Sequence, residues 1–124
     1  MTIPLADDVV VHRVGGAGVA SLQPTAVDLA AVPPGLSVLL GGSPHVAADE
    51  VRRAFPNSRK WQRIAGTVAS ATAGALRAAG FDVIEAWTPN LPTHGRIIHP
   101  AGANGLTDVN LARLAAVFVL TTGC

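Results

Sequence analysis

The passage at residues 36–55, LSVLLGGSPHVAADEVRRAF, constrains the fold more than any other stretch of this chain. A near-continuous apolar run over Leu36–Leu40 suits a central strand buried on both faces. Gly41 and Gly42 turn the chain, Ser43 offers a hydroxyl for an N-cap, and Pro44 stands where the first turn of a helix tolerates proline. Val46, Ala47, Val51 and Ala54 then fall on one helical stripe, and Pro56 ends the element. A buried strand feeding straight into an amphipathic helix points to a layered α/β domain and away from a pure helical bundle.

The remaining elements are read around that unit. Residues 9–14 are β-branched and bounded by acidic residues and Gly15-Gly16, which predicts a first strand. The glycines at 15, 16 and 18 read as a tight turn, because the third glycine and the regular helix of a dinucleotide fingerprint are missing. Residues 24–32 predict one short helical turn with Val27 and Ala31 inward, stopped by Pro33-Pro34-Gly35. Asn57 or Ser58 caps a helix through Trp61 and Ile64. From Thr67, the spacing of Val68, Ala71, Ala75, Leu76 and Ala79 predicts an alanine-rich helix closed by Gly80. Residues 81–87 alternate as a strand, 88–92 form a loop, and 96–99 form a short strand stopped by Pro100. Thr107 caps a last helix that packs through Leu111, Leu114, Ala115 and Phe118, and the closing LTTGC is a frayed or docked tail. The expected fold is α/β: a compact single-layer mixed sheet of about four strands with three or four helices, in one globular domain spanning 1–124.

Composition narrows the function classes. The chain has 124 residues, 49% of them apolar but only 4% aromatic, so its core is aliphatic. A charged fraction of 14% leaves apolar surface, which favours self-association or a stable protein partner. The net charge of +1 gives no global attraction to nucleic acid or anionic lipid. Five of the nine basic residues lie between Arg52 and Arg63, where a solvated helix face and loop account for them. The single cysteine, Cys124, forms no internal disulfide and suits a reducing compartment. No signal-peptide pattern opens the chain and the apolar run at 114–120 is too short to span a bilayer, so a cytoplasmic, non-membrane protein is expected.

The chemistry concentrates in two places. LPTHGRIIHPAGANGL, residues 91–106, holds two of the four histidines and an isolated arginine. Strand alternation puts Arg96 and Ile98 on one face and Ile97 and His99 on the other, with His94 just outside the strand on the side of Arg96. Histidines on opposite faces do not share a metal, no thiolate or carboxylate stands at ligand spacing, and no P-loop is present, so neither a metal nor a cofactor is expected. In the first strand, His12-Arg13 resembles the opening of small nucleotide-using toxin domains of the ADP-ribosyltransferase-like group. The resemblance covers those residues alone, since the chain has no tyrosine and no terminal glutamate site, and it assigns no family.

The candidate constellation is therefore His12, His94 and His99 as catalytic groups, with Arg13, Asn90 and Arg96 as ligand-binding groups. Histidine transfers protons near neutral pH, and arginine holds a phosphate or carboxylate through paired hydrogen bonds. Two functions follow as expectations. One is a small interaction or regulatory module in a protein complex. The other is a small toxin-like hydrolase or transferase acting on RNA or a nucleotide through a His/Arg site.

Overall fold

The computed structural model describes residues 4–124. Its elements are β1 (Val10–Val14), α1 (Ala26–Ala30), β2 (Leu36–Leu40), α2 (Pro44–Ala54), α3 (Arg59–Ile64) and β3 (Thr67–Thr72). They continue with α4 (Ala73–Ala78), β4 (Asp82–Glu85), β5 (His94–Ile98), a 3₁₀ turn (Gly102–Gly105), α5 (Asp108–Ala115) and β6 (Val119–Thr122). The strands form a single six-stranded sheet in the order β4-β5-β2-β1-β3-β6. Every adjacent pair is antiparallel.

The α/β class stands, but the expected mixed sheet of about four strands becomes an antiparallel sheet of six, and the three or four helices become five with a 3₁₀ turn. One extra strand comes from the alanine-rich segment. Residues 67–72 form β3, and the helix begins only at Ala73, where the Thr72 hydroxyl accepts a hydrogen bond from the Ala75 amide. Threonine and valine at 67, 68 and 72 favour extended backbone, and alanines at 69 and 71 fit a strand covered by helices on both sides. The other extra strand is β6, formed by the expected tail.

Cross-strand partners share a face of the sheet, so the register sorts the side chains into two layers. Val11, Leu36, Val38, Ala69, Ala71, Val83 and Ile97 lie on the first face and pack with Leu76 of α4 and Leu111 and Leu114 of α5. The second face carries His12, Leu39, Val14, Val68 and His94 and is covered by α2 and α3 through Ala47, Ala48, Val51 and Trp61. The helices thus sandwich the sheet, and β2 is central as its apolar run predicts.

Two expected inward positions turn outward. Val27 is 79% exposed and α1 buries no residue, because a capping box between Thr25 and Asp28, and not a seat on the sheet, defines that helix. Val46 is likewise exposed, while Ala48 and Glu50 join Ala47 and Val51 on the buried side of α2. The glycine segment after β1 forms turns, as read from its sequence, with the Leu22 amide donating to the Gly18 carbonyl.

Candidate functional site

The site is made by a separation of strands. β1 and β2 pair only at Val11–Leu40 and His12–Leu39, whereas β1 and β3 pair along all five residues of β1. Beyond His12 the two central strands diverge, and Arg13 occupies the gap. Its guanidinium donates to the Ser37 carbonyl at 2.9 Å and to the Ser21 carbonyl at 2.7 Å, replacing ladder bonds with side-chain bonds. Burial lowers the pKa of this guanidinium, and the nearby negative charge of Asp28 acts in the opposite direction.

The divergence opens a cleft of about 320 Å³ between the second sheet face, the C-terminal half of α2, α3 and α1. Its walls are mostly apolar, with Leu39, Val51, Phe55 and Trp61 among them, and its polar lining includes Arg13, Asp28 and His94. Phe55 and Trp61 stack with ring centroids 5.7 Å apart, a flat aromatic wall.

The three histidine candidates have different fates. His12 is fully buried with both ring nitrogens engaged: Nε2 lies 2.9 Å from the Gly42 carbonyl and Nδ1 lies 2.7 Å from the Ser70 hydroxyl. A carbonyl only accepts, so Nε2–H donates to Gly42 and, in the neutral ring, Nδ1 accepts from Ser70. This histidine ties three elements together. His99 lies on the opposite face of the sheet. There it meets Phe81 edge to face at 5.2 Å, and its Nδ1 accepts from the Ala101 amide at 3.0 Å.

His94 faces the cleft. It belongs to β5 itself and not to the preceding loop, and it lies beside Leu39 across the ladder. Its Nδ1 lies 2.9 Å from the Ala86 carbonyl, which places the ring proton on Nδ1 in the neutral form. Nε2 then carries the lone pair and, among the described residues, makes no hydrogen bond.

Arg96 shares the His94 face, as the alternation predicts, and stands across from the cleft residue Ser37. Asn90 lies elsewhere, in a separate polar crevice with Glu50 and Arg53. The structure thus gathers His12, Arg13 and His94 at one cleft with Arg96 next to it, and leaves His99 and Asn90 apart. Sequence reasoning missed Trp61, Phe55 and Asp28 as lining residues. A tryptophan among the charged and polar residues of α3 was the one available signal, and it does not reveal which surface it completes. Among the described residues, no three His, Cys, Asp or Glu side chains converge as a metal site, and no helix is long and apolar enough to cross a membrane.

No protein-family profile, curated protein or solved structure matches the chain.

Proposed function

We propose that the cleft binds a small heteroaromatic ligand of the nucleobase type, making this a cytoplasmic nucleotide- or RNA-directed domain. The observation that carries the reading is the orientation of His94. Its tautomer is set by Ala86, which leaves Nε2 free of protein partners among the described residues, and the residue lines an apolar cleft with an aromatic wall. A planar ring fits between aliphatic and aromatic surfaces, and an N–H on its edge supplies the donor that Nε2 lacks. The same lone pair can accept a proton from a bound hydroxyl, which is the role a hydrolase or transferase requires of it.

The test uses Trp61 as the reporter. In a Trp87→Phe background, titration with each of the four ribonucleosides should quench the remaining fluorescence saturably, and His94→Ala should abolish the response. Absence of a saturable change with all four would reject the reading.

A second reading, an interaction module that recruits a protein partner or a second copy, is favoured by β6. This edge strand exposes Val119 (70%) and Leu120 (61%) and carries neither a charge nor a proline to deter pairing.

A further inference from the structure

We propose that Arg96 is an oxyanion seat beside the cleft, so that the ligand carries a phosphate or carboxylate beside its ring. The proposal rests on the cleft reading above and specifies its ligand.

The arginines of this chain whose bonds are defined serve the fold. Arg13 bridges two backbone carbonyls, Arg77 pairs with Asp7 and Asp82, and Arg52 donates to the Cys124 carbonyl. Arg96 has no such employment. Among the described residues it forms no ion pair, and its Nε is shielded from solvent without a hydrogen-bond partner. The acidic groups nearest in the sheet do not serve it. Asp82 is held by Arg77 at 3.0 Å, and Glu85 projects from the opposite face, where its ladder partner is Gly95.

The side chain is nevertheless held in place. Its Cγ and Cδ lie over Gly35, where a Cβ would overlap both of them and the Ile97 carbonyl. The Gly35 amide in turn donates to the Asp28 carbonyl of α1, so the arginine stem lies where α1 meets β2. Ser37, which lines the cleft, is its ladder partner, and His94 is two residues away on the same face. With its stem fixed by packing and its Nε shielded, the side chain offers its two terminal nitrogens to a planar oxyanion, which takes two parallel N–H bonds from them. Ring, His94 and oxyanion then lie along one side of the sheet, as the parts of a nucleotide would require.

Two measurements test this independently. The Arg96 Nε–Hε resonance, identified by its loss in Arg96→Gln, is followed during titration of the protein with inorganic phosphate and separately with acetate. A saturable shift with either is expected, and the stronger response identifies phosphate or carboxylate as the preferred group. No saturable shift with either anion overturns the proposal. In parallel, each ribonucleoside is compared with its 5′-monophosphate by Trp61 fluorescence. The monophosphate should bind about tenfold more tightly. That advantage should disappear in Arg96→Gln and recover in part in Arg96→Lys. Equal affinities in the parent protein, or an advantage that persists in Arg96→Gln, separate the anion seat from the ring site and overturn the single-ligand arrangement. If phosphate moves Arg96 but no nucleoside binds, the ring assignment fails and the oxyanion seat stands.

Discussion

Nδ1 of His94 lies 2.9 Å from the carbonyl oxygen of Ala86, so one edge of the ring is anchored and Nε2 is left without a protein partner among the described residues. The backbone repeats the linkage, since the Ala86 amide donates to the His94 carbonyl at 2.9 Å. His94→Ala removes one of these two bonds and should cost about 1 kcal/mol of stability, read by urea denaturation. A much larger loss would mean that the ring is held chiefly by packing and that its ligand-facing role is misassigned.

His12 and Ser70 form the opposite case, a pair satisfied within the fold. Ser70→Ala leaves the His12 Nδ1 without a donor in a fully buried position and should destabilise by about 1–3 kcal/mol. Nucleoside binding by the folded variant should stay at the parent level in the Trp61 assay. Loss of binding without loss of stability would return His12 to the active candidates.

Arg13 closes the fork between β1 and β2 with two bonds at once. Arg13→Met orphans the Ser37 and Ser21 carbonyls together and should lower unfolding free energy by about 2–4 kcal/mol. Arg13→Lys should recover only part of that, because a single ammonium does not reproduce the planar fork. Chemical denaturation of the three proteins orders them; equal stabilities would show that the fork is held by the flanking strands alone.

Gly105 lies flat against the ring of His99, and a Cβ added there overlaps the imidazole. Gly105→Ala should therefore cost about 1–3 kcal/mol through overpacking. Removing the ring with His99→Ala should make the second substitution nearly neutral, a coupling that a double-mutant cycle in thermal unfolding measures directly. Additive effects would show that the loop, and not the ring, resists the methyl group.

For the exposed edge, Leu120→Lys places a charge on β6. Sedimentation velocity should show the parent protein gaining mass with concentration and the lysine variant remaining monomeric. A parent protein that stays monomeric throughout removes self-association from consideration.

The legible parts of this fold were those whose local chemistry and tertiary role agree. Ser43-Pro44 and Thr107 start helices where their side chains dictate, and Gly80, at φ +94°, ends α4 as its lack of a side chain permits. The segment at 67–72 misled because alanine fits the face of a helix as readily as a strand buried between two helical layers, and its spacing fits both. Placing His94 on the side of Arg96 required only alternation, and that survives in β5. What alternation does not contain is the other wall of the cleft: Phe55 arrives from the C-cap of α2 and Trp61 from α3, brought over the sheet by a crossover whose course no local pattern encodes. Nor does spacing show that His12 would spend both nitrogens on Ser70 and Gly42, partners 58 and 30 residues away.

The strand order also sets a schedule for synthesis. β2, β1 and β3 occupy the middle of the sheet and are the first three strands to leave the ribosome, so the centre can assemble while the rest is still being made. β4 cannot join then, because its only ladder partner among the described residues, β5, emerges after it. The newborn chain therefore carries Val83 and Ile84 without a strand to pair with until His94–Ile98 follows.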